Sequence, residues 1–215
     1  MRSSWQSVVE DLRARWIPAG LDLAQPFQVA WYNCAVADAC RLPDFGRSSA
    51  LGIRVGKTRA IWPRFLDAWR ENRPGLDERH PLESYVEATV LPALEPPSHR
   101  SEVRWAQDPP PRRVAMQRLA HISGLAYLSQ SHLSVHATYG PRIALRVAVE
   151  IDIEGPSGPP PEPPNPLSPV PIARAAEVPG GDRHVRSDTA RSHRDRAALA
   201  VLAGQHPPLG PDLVR

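Results

Sequence analysis

Ile143-Ala144-Leu145-Arg146-Val147-Ala148-Val149-Glu150-Ile151-Asp152-Ile153 is the stretch on which the fold turns. Ile143, Leu145, Val147, Val149, Ile151 and Ile153 alternate with Ala144, Arg146, Ala148, Glu150 and Asp152, a period of two kept over eleven residues. Strand side chains point to opposite faces in turn, so 143–153 reads as a strand. One of its faces lies on a core, and the other faces solvent or a cavity. Arg146 is the only cation on that second face. An alternating strand of this kind belongs to an antiparallel sheet, because strands of parallel sheets read as continuous apolar runs.

Helical spacing dominates on the N-terminal side. Trp5, Val8, Val9, Leu12 and Trp16 predict a helix over 5–16 with Ser4 as its N-cap. Pro26 opens a short segment, 27–33, that suits a helix or a partly buried loop. Leu51, Ile53 and Val55 predict a strand. A helix follows with Pro63 in its first turn and Ile61, Phe65, Leu66 and Trp69 on its buried face. His80-Pro81-Leu82-Glu83 starts another helix, running to about Val90, and Val103 and Trp105 mark a short strand. The longest helix is expected over 112–130, with Ala120, Ser123, Gly124 and Ala126 roughly down one side. A slim flank of this kind admits a flat group or a second backbone, and ordinary helix-on-sheet packing produces it equally well. The sum is an α+β fold, an antiparallel sheet flanked by helices.

Beyond Gly155 the composition changes. Nine of the sixteen residues from Pro156 to Pro171 are proline, which leaves an extended segment over 155–186. A last helix capped by Asp188 and a tail fill 187–215, so 1–154 forms the principal domain.

Composition narrows the function. A chain of 215 residues with 41% apolar content builds one core. No apolar run approaches a membrane span, and the N-terminus lacks an apolar signal core, so a cytoplasmic protein with no membrane partner is expected. The net charge of +3 is interleaved rather than gathered into a basic stripe, which argues against a nucleic-acid partner. Lys57 is the only lysine and every other basic side chain is arginine. GC-rich coding gives that bias, and guanidinium forks also suit phosphates and carboxylates. Cys34 and Cys40 are too few for a disulfide framework and read as buried or free thiols. Gly56-Lys57-Thr58 lacks the glycine a phosphate loop needs at position 51, where Leu51 stands. His132 and His136 fall beyond the helix end, so no metal site is expected.

Several blocks do match a known pattern. Pro26-Phe27-Gln28-Val29-Ala30-Trp31-Tyr32-Asn33 resembles the N-terminal signature of the MMACHC (cblC-type) cobalamin-processing family, and Leu42-Pro43 recurs after it. His80-Pro81-Leu82-Glu83 resembles the family's Asp-Pro-Val-Asp helix start. Arg112-Arg113, Gln117, Ala120-His121, Gly124, Ala126-Tyr127 and Gln130 resemble its Ala-His-Val-Ala-Gly-Ala-Ala-Tyr helix, and Ala144-Leu145-Arg146-Val147 resembles Ala-Ile-Arg-Gly in the strand after it. The resemblance spans roughly residues 1–153.

What it implies is a flavin nitroreductase-like scaffold whose cavity holds cobalamin base-off. The family's enzyme removes cyanide from cobalt with reduced flavin (FMN or FAD), or transfers an alkyl group to glutathione. Carried over residue by residue, Val114, Ala115, Met116 and Gln117 line the start of the corrin-binding helix, and His121 sits near the cavity wall. Leu128, Ser129 and Gln130 approach the upper region, and Leu145 contacts the corrinoid from the strand. Arg146 matches an arginine associated with thiol binding, where its fork suits a glutathione carboxylate. Without the resemblance, His121 reads as a hydrogen-bonded core histidine, Gln117 and Gln130 as surface residues, and Arg146 as a partner of Glu150. The sequence departs from the family in three places. The stretch from Gln130 to Arg146 is short, Leu128 and Ser129 replace tyrosines, and no aromatic residue follows 155. Two alternatives stay open: a divergent member using the cavity for another redox or thiol reaction, and a non-catalytic cobalamin carrier or interaction module whose Pro-rich segment docks a protein partner; under any of these readings the protein is a monomer or a homodimer.

Overall fold

The computed structural model describes residues 4–95 and 98–166, so the helix and tail expected over 187–215 lie outside the described residues. In chain order the elements are α1 (Trp5–Trp16), β1 (Leu23–Gln28), α2 (Val29–Asn33), β2 (Ala50–Lys57), α3 (Ile61–Arg70), α4 (Pro81–Ala93), β3 (Ser101–Trp105), α5 (Met116–Ile122), β4 (Tyr127–Leu128), β5 (Ser134–Val135) and β6 (Ala144–Glu154). β6 is the alternating stretch. It runs antiparallel between β2 and β3, and β1 completes a four-stranded sheet in the order β1-β2-β6-β3. β4 and β5 form a separate small ribbon after α5.

Both faces of the sheet are covered. Leu51, Ile53 and Val55 of β2 and Val147, Val149 and Ile151 of β6 pack under α1, α3 and α4. Phe27, Ala50 and Ala148 pack on the opposite, second face with Val29 and Tyr32 of α2 and Val114, Met116 and Leu119 at α5. The second face of the long strand therefore meets protein rather than solvent. Residues 146–151 are buried on both sides.

Pro26 lies within β1 rather than ahead of a helix. β1 is an edge strand, where a residue without an N–H leaves no ladder bond unmade. Gln25↔Arg54 and Phe27↔Gly52 pair across it, and a Cβ on Gly52 would sit 2.2 Å from the tip of the Phe27 ring. Glycine is therefore required for that ring to lie on the sheet.

Two expectations need correction. The helix expected over 112–130 covers only Met116–Ile122. Gly124 stops it with φ +75, and the Leu125 and Gly124 amides donate back to Ala120 O and His121 O, a Schellman closure. Leu128 therefore stands on β4, and Ser129 and Gln130 in the turn after it. The second correction concerns Arg146. Val55 pairs with Val147 but Gly56 with Leu145, so Arg146 is the extra residue of a bulge. The bulge breaks the alternation: Leu145 joins the second face, and Arg146 Nη1 reaches Glu83 Oε1 of α4 at 3.1 Å instead of pairing with Glu150.

The described part of the Pro-rich segment lies on this body. Gly155 N donates to Ser49 O, Pro160 packs on Gly124, and Pro163 is buried.

Candidate functional site

The second face carries charge that a core does not ordinarily hold. Arg54 of β2 pairs with Ala148, and Ala148 pairs with Arg104 of β3, so one row across the sheet reads Arg54, Ala148, Arg104. The next row reads Gly52, Glu150, Glu102. Arg54 and Glu150 are both 0% exposed. Burying either ion costs several kcal/mol unless hydrogen bonds and a counter-charge offset it.

Those offsets are incomplete. Arg54 Nε donates to Ser123 Oγ at 3.3 Å, while Nη1 and Nη2 have no acceptor within reach. Both carboxyl oxygens of Glu150 lack a donor. Burial lowers the Arg54 guanidinium to about 9. Burial also pushes the Glu150 carboxyl up to about 8, against a smaller opposing pull from Arg104. At neutral pH the guanidinium is thus a cation and the carboxyl a neutral acid.

Tyr32 joins this face to α5. Its hydroxyl accepts from Ala115 N at 2.8 Å, and burial holds the phenol up to about 12, so it stays protonated. Asn33 then locks the following loop: its Nδ2 donates to Leu42 O and its Oδ1 accepts from Leu42 N, both at 2.9 Å. Leu42 is buried beside Phe27 as a result.

The residues suggested by the resemblance divide into two clusters, two exposed glutamines and Arg146. Val114, Ala115, Met116 and Leu145 come together in or against the second core. His121, Leu128 and Ser129 gather at the β4–β5 ribbon. His121 stands edge-on to Tyr127 with centroids 5.8 Å apart, its Nδ1 accepts from Leu128 N at 3.4 Å, and its Nε2 lies 3.7 Å from Glu162. Ser129 Oγ accepts from Leu133 N at 3.1 Å. Gln117 and Gln130 face solvent. Arg146, turned toward α4, belongs to neither cluster.

The slim flank of α5 is closed. Ala120, Ser123 and Ala126 are fully buried, Ser123 touches Arg54, and Pro160 sits over Gly124. A cleft of about 400 Å³ opens elsewhere, lined by Leu12 and Arg15 of α1, Ala93 of α4, His99 and Ile151. Among the described residues no group of His, Cys, Asp and Glu could hold a metal ion, and no helix is long and apolar enough to cross a membrane. Cys34 is exposed and Cys40 half-buried, both as free thiols.

Sequence reasoning passed over Arg54 and Glu150. The sign was there in Gly52-Ile53-Arg54-Val55-Gly56, where a charged residue in an apolar strand is flanked by the two glycines on its own face.

These features define an α+β protein with one antiparallel sheet between helical layers and a polar, buried second face. Among solved structures the chain is similar to the B12-trafficking protein CblC of C. elegans, a homologue of human MMACHC. The TM-score is 0.60 with 18% identity, covering 76% of each chain, which establishes a shared fold. Epoxyqueuosine reductase from Streptococcus thermophilus is similar with a TM-score of 0.47 and 10% identity, over 73% of this chain and 48% of that one. No family model matches the chain, and no curated protein matches it in sequence.

Proposed function

We propose that the chain is a CblC-type cobalamin-binding protein that processes the upper ligand of cobalt, by reductive decyanation with reduced FMN or FAD and by thiol-dependent dealkylation with glutathione. One observation carries the reading. The two sequence blocks that resemble the family, 83 residues apart at their point of contact, meet through the Tyr32 hydroxyl and the Ala115 amide. Phe27, Val29 and Tyr32 of the first block pack with Val114 and Met116 of the second, and Leu145 lies against them. Chance similarity gives no reason for the two blocks to adjoin on a fold shared with CblC.

A corrin disc does not fit between α5 and the sheet, because that flank is filled by Arg54, Ser123 and Pro160. The outer side of the same segment fits better. Exposed Gln117 and half-buried His121, one turn apart on α5, offer donors and acceptors suited to the peripheral amides of a corrin, with the Leu128 amide on His121. When bound, flavin supplies electrons and cobalt the reactive bond. The chain's part is to hold the macrocycle edge and limit water around it.

A second reading, a carrier without turnover, is favoured by Arg146. Its guanidinium is committed to Glu83, away from Leu145 and the α5 cluster. Visible spectra of the purified protein with cyanocobalamin, before and after reduced flavin, test both readings. A shifted corrinoid spectrum followed by cyanide release supports the enzyme, and a shift without release supports the carrier. An unshifted spectrum removes cobalamin from the assignment.

A further inference from the structure

We propose that Arg54 is the base of a buried oxyanion-binding site that takes a carboxylate or a phosphate group, independently of any corrinoid. The side chain is fully buried, and its one hydrogen bond is from Nε to Ser123 Oγ. Nη1 and Nη2 carry four N–H donors with no acceptor among the described residues. A guanidinium in that state needs an anion, and its fork matches two oxygens of a carboxylate or phosphate.

No acid among the described residues supplies that anion. Glu150 is the nearest carboxyl on the same face, one row away, yet the charges acting on it are those of Arg104, Glu102 and Arg112. Its own burial keeps it protonated at neutral pH. Asp22 is committed to Thr58, accepting from both its amide and its hydroxyl. The positive field of Arg54 instead reaches His136, where after burial it is the next cause lowering that imidazole's proton affinity. Two residues before His136, Ser134 Oγ is a further buried donor without a partner.

Full burial of the guanidinium limits the occupant to a small anion or the terminal group of a larger ligand. The test uses the full chain in buffer free of phosphate and carboxylate. Sodium phosphate and sodium acetate are titrated separately at constant ionic strength while Tm is followed. A rise of roughly 5 °C at a hundredfold excess over Kd, growing with the logarithm of anion concentration, is expected for at least one of them. A response to phosphate alone assigns a phosphate site, and a response to acetate a carboxylate site. Arg54→Met should abolish the response while matching or exceeding the wild-type Tm without anion. If that variant does not fold, bromide soaked into wild-type crystals decides, with anomalous density expected within hydrogen-bond reach of Nη1 and Nη2. A wild-type chain that does not respond, a response retained by Arg54→Met, or a fork without bromide overturns the site.

Discussion

Glu150→Gln should stabilise this protein, and by an amount that grows with pH. The carboxyl is fully buried, neither oxygen has a donor, and burial moves its pKa from 4.5 to about 8. Below pH 4.5 the acid is neutral in the folded and unfolded chain alike, so it contributes no pH-dependent stability there. Between 4.5 and about 8 the unfolded chain releases a proton that the folded chain retains, and folding becomes less favourable by about 1.4 kcal/mol for each pH unit. Above about 8 the whole penalty, at most about 5 kcal/mol, is in place. Glutamine has the shape of the neutral acid and does not titrate. The difference in unfolding free energy, variant minus wild type, should therefore start near zero at pH 4.5 and climb to roughly 2–5 kcal/mol by pH 9. Urea unfolding of both proteins across that range measures it, and titrations common to the two chains cancel in the difference. A constant difference, or a variant that loses ground as pH rises, would refute the reasoning. Either result would make Glu150 an ionised partner of a neighbouring arginine.

Further outcomes follow from single contacts. Gly124→Ala must adopt φ +75 and bring a Cβ to 2.9 Å from Pro160, so a loss of about 1–3 kcal/mol and faster proteolysis within 156–166 are expected in urea unfolding and limited digestion. Asn33→Ala removes both bonds that hold Leu42, and the melting curve should report a loss of about 1–3 kcal/mol with no change in helix content by circular dichroism. Arg146→Ala breaks the contact with Glu83 on the α4 side, and should cost about 1–3 kcal/mol while leaving the cyanocobalamin spectrum of the bound protein unaltered. A lost spectrum would place that guanidinium in the corrinoid site.

The sheet was legible because its central strand obeys a strict period. A ladder imposes alternation on side chains, and Val147, Val149 and Ile151 face the same core that the pattern assigns them. α1 and α3 were legible for a related reason, since apolar spacing and a serine cap act within a few residues. What was not legible depends on partners far along the chain. Pro26 argues against a strand until β1 is known to be an edge. Gly124 reads as one more small residue on a helix flank, and only the backbone bonds to Ala120 and His121 make it the stop. Arg54 shows in the sequence as a charge between two glycines, but only strand pairing puts it with Glu150 on one covered face.

The bulge at Arg146 has the widest effect on function. Alternation alone sends Leu145 to one face and Arg146 to the other, with Arg146 beside Ala148 and Glu150. The extra residue reverses this, so Leu145 and Ala148 share the second face while Arg146 crosses to α4. The position matched to corrin contact and the position matched to thiol binding are adjacent in sequence, yet they open on opposite sides of the sheet. The covered face then keeps Arg54 as its innermost cation, held between two glycines. The frame shared with CblC thus carries its fully buried guanidinium on β2, while the arginine of the long strand is turned toward α4.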